Sequence, residues 1–501
     1  MRLFQLIIKS LNTFVLFSIV ISPMSLADRL SNTSLPISVH TLQVDLSADP
    51  KPVPLGFIYT STNDPKGNTV LQVTRYSNGQ VGNEISYPTR GAGAADPNRN
   101  GLSKGNFDSS GAMQIVDHYL FTVNAGDNSF TVFNINKTNG NLTFLYKVSS
   151  GGTRPVSLLA VAQTKFPKKD PKVPLPTGIY RIFVANQQSN PSVQGDGKQV
   201  KRYPNEAYFN QDLTVLDKSD SQRNVSEYTF DSHTGKLTLF KAPLFTFNRD
   251  SGGPISLGEA DSGRGRYLLV STAGIPHLFT EQPETGQFFM HPSLIRAYYF
   301  DQDTGSVFYC CKWQPKSFAG VSGFLNDYFG VNLNFVLSMN HNDDQPDFTG
   351  LLNIDSKLVS STKNQLPLID GNTHLTHNGW MAMTSIQSAF PYRYYVSSFD
   401  NNAVMTLQYQ PFGSPSVTIK QFTYRKDYAP KGDSKDLYVT PDGKYVYNLG
   451  AFRSYSLSGF AADDSGLTYQ GQYTFKATQA AAGQAGRYNF MGLVGFDLNK
   501  K

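Results

Sequence analysis

Seven side chains in this sequence combine reactive type with a suggestive place. Arg154, Glu259, His374, His377, Lys435, Asp436 and Arg487 each stand in or beside a short run of small and apolar residues. The runs are RPVSLLAV (154–161), PISLGEA (254–260), HLTHNGWMAM (374–383), KDLYV (435–439) and RYNFMGLVGF (487–496). The cations suit a carboxylate or phosphate, arginine through a two-pronged fork and lysine as a point charge. An imidazole titrates near neutrality and can pass a proton when a carboxylate orients it. On that chemistry His377, Asp436 and Glu259 are the candidate catalytic groups, and Arg154, His374, Lys435 and Arg487 the candidate ligand contacts. The same charges also fit a plainer arrangement, ion pairs that hold neighbouring segments together.

Other chemistries find less support. His374-x-x-His377 is half of a metal site without a companion motif, and a hydrogen-bonded pair of loop histidines fits it better. The loop NHNDDQPD (340–347) offers Asp343, Asp344 and Asp347, but it lacks the glycine and closing glutamate of an EF-hand. The expectation is therefore no metal and no cofactor, with calcium as the alternative. There is no G-x-S-x-G, H-E-x-x-H or C-x-x-C, and Gly91-Ala92-Gly93 reads as a turn rather than a dinucleotide loop. The two cysteines, Cys310 and Cys311, are adjacent. They either close a strained ring or stay reduced at a strand end, one facing in and one out.

The elements that must position these residues repeat. An apolar strand ending in a small or polar turn recurs as GFIYTSTND (56–64), YLFTVNAGD (119–127), YRIFVANQQ (180–188), RYLLVSTAG (266–274), NFVLSMNHN (334–342), YRYYVSSFD (392–400) and KYVYNLGAF (444–452). Each is followed by a partner strand, such as TVLQVTRY or SFTVFNIN. Five copies then carry a hairpin glycine, Gly79, Gly140, Gly235, Gly305 or Gly466, where positive φ is needed. The small-residue runs that precede the copies read as innermost strands. Seven copies of a four-stranded antiparallel unit predict an all-β, seven-bladed β-propeller closed by its terminal strands, HTLQVDL (40–46) with GLVGFDL (492–498). Six or eight blades are the alternatives, because the fifth and seventh copies are the least regular. Insertions at 187–225 and 272–293 fall on the face of the inter-blade connections, where they form either a rim or surface decoration.

The stretch VNAGDNSFTVFNINKTNGNLTFLYKVSSGGTRPVSLLAV (123–161) resembles the lactonase-type seven-bladed propellers. That broad family includes propeller 6-phosphogluconolactonases, carboxymuconate-lactonising enzymes and exported members without an assigned activity. The VNAGDNS turn, the SSGGTRPVSLLAV run and the Thr-Gly hairpins carry the likeness, which is specific for fold rather than chemistry. It implies an axial pocket for a sugar-acid lactone or a carboxylate-bearing substrate. It also implies an inner-strand histidine acting with a carboxylate and arginines. Here the fourth inner run, GGPISLGEADSGRG, has no histidine, although Glu259, Asp261 and Arg264 stand close in sequence. The expected function is thus binding of a small acidic or sugar-like molecule, or a protein partner, on the channel face. The alternative is hydrolysis of a sugar or carboxylate lactone.

Bulk properties set the setting. Residues 1–27 have the basic start, short apolar run and small-x-small exit (Ser25, Ala27) of a secretory signal peptide, which leaves 28–501 as one propeller domain. No later segment is apolar enough to span a bilayer. The chain is expected to be exported, periplasmic or extracellular, and monomeric. Its formal charge is +6, and loss of Arg2 and Lys9 with the signal leaves +4. So mild an excess, with its basic patches KFPKK (165–169) and KQVKR (198–202) in polar loops, argues against a nucleic-acid partner. Sequons stand at Asn32, Asn136, Asn141 and Asn224.

Overall fold

Each repeated apolar phrase forms the second strand of a sheet; where burial is described, as in YLFTVN, that strand is largely covered on both faces, while the last strand of its sheet meets solvent. YLFTVN (119–124) is buried at all six positions, whereas LTFLYKVS (142–149), after its buried Leu142, alternates between exposed and half-buried. The computed structural model describes residues 51–95, 110–165, 175–187, 223–247, 253–261, 266–272, 294–301, 304–313, 319–326, 333–340, 348–355, 358–361, 366–375, 378–384, 392–410, 416–425 and 432–498. The chain divides at Lys51, and the unit Pro52–Lys501 holds every described strand. The signal-peptide segment and the bodies of both insertions lie outside the described residues.

The first sheet contains β1 (Pro54–Ser61), β2 (Thr69–Tyr76) and β3 (Val81–Pro88). The second is β4 (Met113–Val116), β5 (Tyr119–Asn124), β6 (Ser129–Ile135) and β7 (Leu142–Ser149). The third is β8 (Pro155–Lys165), β9 (Leu175–Asn186), β10 (Asn224–Asp231) and β11 (Lys236–Thr246). The fourth is β12 (Pro254–Asp261), β13 (Arg266–Thr272), β14 (Leu294–Phe300) and β15 (Val307–Trp313). The fifth runs β16 (Ala319–Asn326), β17 (Leu333–Asn340), β18 (Phe348–Asp355) and β19 (Leu358–Ser361), and β20 (Leu366–Pro367) adds a second pairing to β18. A short hairpin, β21 (Ile369–Asp370) with β22 (Thr373–His374), precedes the sixth sheet, β23 (Asn378–Met383), β24 (Tyr392–Ser398), β25 (Ala403–Gln410) and β26 (Ser416–Tyr424). The next sheet is β27 (Ser434–Val439), β28 (Tyr445–Gly450), β29 (Ser456–Asp463) and β30 (Gly466–Thr474). Finally β31 (Met491–Asp497) returns to pair with β1 and completes the first sheet.

This is an all-β propeller of four-stranded antiparallel blades. Among the described residues six sheets have four strands and the sheet of β16–β20 has five. The innermost strands touch in the order β31, β4, β8, β12, β16, β23 and β27, and β27 meets β31 again. An N-terminal and a C-terminal strand close the ring. The strand against β31 is β1, and HTLQVDL (40–46) lies outside the described residues. The pairing is tied by Arg75 on β2, whose Nη2 lies 2.8 Å from Asp497 Oδ1, and by Tyr438 on β27, whose hydroxyl donates to the same oxygen at 3.2 Å.

No single core holds such a ring; apolar clusters sit between neighbouring blades. Phe121 meets Phe230 edge-on at 5.0 Å, and Phe183 meets Phe300 at 5.5 Å. The hairpin glycines perform a second task beyond positive φ. Each opens space for a side chain of the preceding blade: Tyr445 at Gly79, Phe57 at Gly140, Tyr119 at Gly235 and Arg181 at Gly305. Tyr59 and Tyr447 then donate hydroxyls to the Gly140 and Gly79 carbonyls at 2.7 and 2.8 Å. Gly140→Ala is expected to lose about 3 kcal/mol, from left-handed backbone strain and from displacing Phe57. A thermal midpoint equal to that of the wild type would show that the hairpin relaxes freely.

One other expectation changes, and one sequon is placed. Cys310 and Cys311 are partly buried and both pack against one cluster, that of Ala260, Tyr267, Leu269, Ile295 and Ala297, rather than one facing in and one out. The Asn224 sequon is closed to a glycan, because its buried side-chain amide donates to the Gly151 carbonyl at 2.9 Å.

Candidate functional site

Four of the inner strands share a distortion at their first residues. The register slips at Pro155/Ser157 in β8, Pro254/Ser256 in β12, Asn378/Trp380 in β23 and Ser434/Leu437 in β27. Such bulges re-aim side chains at the rims of barrels and beside active sites. In β27 the slip spans two residues, Lys435 and Asp436, which are only 1% and 8% exposed. Burying both groups requires partners, and one short segment supplies them.

That segment is Arg487–Gly492. Asn489 accepts a hydrogen bond from the Lys435 ammonium through Oδ1. The Gly492 amide donates to Asp436 Oδ2 at 3.0 Å. Arg487 forks onto Asp64, with Nη1–Oδ1 and Nη2–Oδ2 both 3.4 Å. Gly492 has φ 74°, and a Cβ there would lie 2.5 Å from the Met113 side chain. Only glycine therefore lets β31 begin with its amide aimed at Asp436. Lys435 Nζ also stands 5.3 Å from the Trp380 ring centre and 5.9 Å from that of Phe399, within cation–π reach. Trp380 and Phe399 form an apolar cluster with Phe452 and Ala485.

The charged groups divide into a buried pair and a more exposed one. Burial pushes the Asp436 carboxyl up to about 7, opposed by the Gly492 amide and the Lys435 charge. A carboxyl poised near neutrality beside an ammonium can accept a proton while the cation steadies negative charge. The Arg487 and Asp64 side chains are 32% and 17% exposed, so both remain reachable from solvent. Just before β27, Asp433 anchors the turn after β28. Its Oδ1 accepts from the amides of Phe452, Arg453 and Ser454, and its Oδ2 lies 3.0 Å from Arg425 Nη1, with both side chains fully buried.

Three of the seven sequence candidates, Lys435, Asp436 and Arg487, thus converge on one segment. Glu259 is engaged elsewhere, in an ion pair with Arg266. Arg154 has φ 60°, and its backbone amide donates to Asn128 Oδ1 at 2.8 Å. His374 is exposed in the β21–β22 hairpin. His377, Asp343, Asp344 and Asp347 lie outside the described residues, among which no group of three or more metal-ligating side chains comes together. Gly91-Ala92-Gly93 forms a turn, with the Gly93 amide on the Asp64 carbonyl at 2.8 Å. Asp64, Asn489 and Trp380 escaped the sequence reading. Asn489 carried one signal, a lone amide in an otherwise apolar approach to β31.

A cavity of about 490 Å³ opens at the far end of the strands, where Phe496 lies four residues beyond Gly492. Asp117, His118, Lys137, Tyr180 and His233 line it. Its polar groups largely satisfy one another: Tyr180 donates to Asp117 at 3.3 Å and His233 Nε2 lies 3.3 Å from the Thr177 carbonyl. Burial and the Lys137 charge lower the His118 pKa, against the opposing pull of Asp117.

No protein-family model and no curated protein matches the sequence. Solved structures do. A structure from Bacteroides fragilis, provisionally named a 6-phosphogluconolactonase, aligns over 90% of this chain and all of its own, at 12% identity and TM-score 0.50. A protein from Lactobacillus plantarum aligns over 89% of this chain and 100% of its own, at 10% identity and TM-score 0.55. The periplasmic gluconolactonase of Pseudomonas aeruginosa covers 87% of this chain and 99% of its own, at 12% identity and TM-score 0.50. At such identity the likeness is one of fold, and the chain has the fold of the lactonase-type propellers.

Proposed function

We propose that this lactonase-like propeller binds a small acidic or sugar-like ligand at the mouth of its channel, where Arg487–Gly492 meets the β27 bulge. The observation that carries the reading is the convergence of Lys435, Asp436 and the Arg487–Asp64 fork on that one segment. A guanidinium and a carboxylate side by side suit vicinal hydroxyls, and a buried cation suits a carboxylate. The five-stranded sheet of β16–β20 is read as the remaining blade with an added strand, which makes the ring seven-bladed. The protein is exported, with residues 1–27 removed.

Binding is tested by calorimetry of residues 28–501 against aldonic acids, their lactones and neutral hexoses. The expected result is saturable binding of at least one class, weakened about tenfold or more by Lys435→Met, which keeps the side-chain volume and removes the charge. Equal affinity of Lys435→Met and wild type would remove Lys435 from the site. Binding to none of the three classes would overturn the reading.

A second reading, lactone hydrolysis, is favoured by the Asp436 carboxyl being raised to about 7 beside Lys435. A base of that strength can activate water at neutral pH. Under this reading, hydrolysis of aldonolactones by the wild type is lost in Asp436→Asn while ligand affinity is kept. Turnover no faster than the uncatalysed reaction would leave binding alone.

A further inference from the structure

The outer strands of four blades carry the same irregularity. Against the neighbouring strand, one extra residue is inserted at Leu145 in β7, Cys310 in β15, Lys420 in β26 and Gln470 in β30. In β15 the register passes from Tyr298↔Tyr309 to Ala297↔Cys311, which leaves Cys310 without a cross-strand partner. In a regular strand successive side chains point to opposite faces. A bulge interrupts that alternation by setting two residues against one. Only in β15 is the position filled by a cysteine followed by a cysteine. Both then pack on one apolar cluster, with their Sγ atoms 2.7 Å apart.

We propose that Cys310 and Cys311 are a reversible two-electron redox site, in which the bulge preassembles a vicinal dithiol for closure by small-molecule disulfides. One thiolate attacks the oxidant RSSR, forms a mixed disulfide and releases the first RSH. The neighbouring sulfur, deprotonated in turn, displaces the second RSH and closes the Cys310–Cys311 bond. Two protons and two electrons leave the protein, and the oxidant is reduced to two thiols. Residues joined by one trans peptide have Cα atoms about 3.8 Å apart, below the roughly 4.4–6.8 Å that disulfides prefer. The ring is therefore strained and easily reduced, which suits a labile modification rather than a structural staple. Cys310 and Cys311 are themselves only partly buried, beside the exposed Phe308 and Tyr309, which leaves the site open to a small oxidant.

The test equilibrates reduced full-length protein with glutathione buffers of increasing oxidised fraction, then blocks free thiols and reads intact mass. The wild type should lose two hydrogens, retain no glutathione and revert in excess reduced glutathione. Cys311→Ser, which cannot close the ring, should keep a glutathione adduct in the same buffers. In the urea-unfolded chain the bulge is gone, and the ring-to-dithiol ratio at one buffer should fall about tenfold or more. Two blockable thiols at every ratio, a persistent adduct on the wild type, or equal ring formation in folded and unfolded chains would each overturn the proposal.

Discussion

Asp497→Ala is expected to remove about 3–5 kcal/mol of stability, because it leaves the Arg75 guanidinium buried without its carboxylate. The Arg75 side chain is 3% exposed, and Asp497, 30% exposed, accepts from both Arg75 and Tyr438. Three strands of the closing region, β2, β27 and β31, meet at this one carboxylate oxygen, Asp497 Oδ1. The converse change, Arg75→Met, strands the more exposed partner, which water can still reach, so its effect should be smaller. The double variant Arg75→Met/Asp497→Leu removes both charges and should recover most of the loss, since apolar groups of similar volume often replace a buried pair at little cost. Urea unfolding of the four proteins measures this directly. If Asp497→Ala unfolds at the wild-type midpoint, the pair does not hold the ring closed.

The second large effect concerns pH. Burial raises the Asp436 carboxyl from 3.8 to about 7, so the folded chain holds that proton more tightly than the unfolded chain. The stabilisation is complete below about pH 4 and is lost as pH rises through about 7, by at most about 4 kcal/mol. Asp436→Asn keeps the shape without the ionisation and should flatten that part of the curve, unfolding later than wild type above neutrality. Glu227 titrates in the same window. Its carboxyl is pushed to about 7 by burial, against the pull of Arg181 and Lys241, so part of the slope survives in Asp436→Asn and is removed only with Glu227→Gln. Urea midpoints between about pH 4 and pH 8 separate the two contributions. Parallel curves for Asp436→Asn and wild type would mean that Asp436 ionises in the folded protein without penalty.

Both effects arise where polar groups are buried at joints between blades. The Arg425–Asp433 pair stands just before β27 and the Lys435–Asn489 bond links β27 to the approach of β31, whereas the Asn186–Asn224 contact at 2.8 Å is a cross-strand pair within the third sheet, beside the first residue of β8. Each holds a turn near the start of an inner strand, where ladder hydrogen bonds give out and side chains must satisfy the backbone. The pinned pair Asn186–Asn224 also fixes the base from which the 187–225 insertion leaves the blade.

The sequence by itself determined the blade. Apolar alternation, turn residues and hairpin glycines are local properties, and the second and third strands of each blade fall where those patterns place them, from GFIYTSTND to SYSLSGFA. Glycine at 79, 140, 235, 305 and 466 was legible because positive φ is a property of one residue. Contacts between residues far apart in the chain were not legible. Nothing near Lys435 announces Asn489, and nothing near Arg487 announces Asp64, 423 positions earlier in the sequence. Which strand would close the ring, and which charges would meet, depended on how the blades wrap around the axis. Local periodicity encodes a strand's faces, whereas tertiary packing alone decides which buried charge finds which partner.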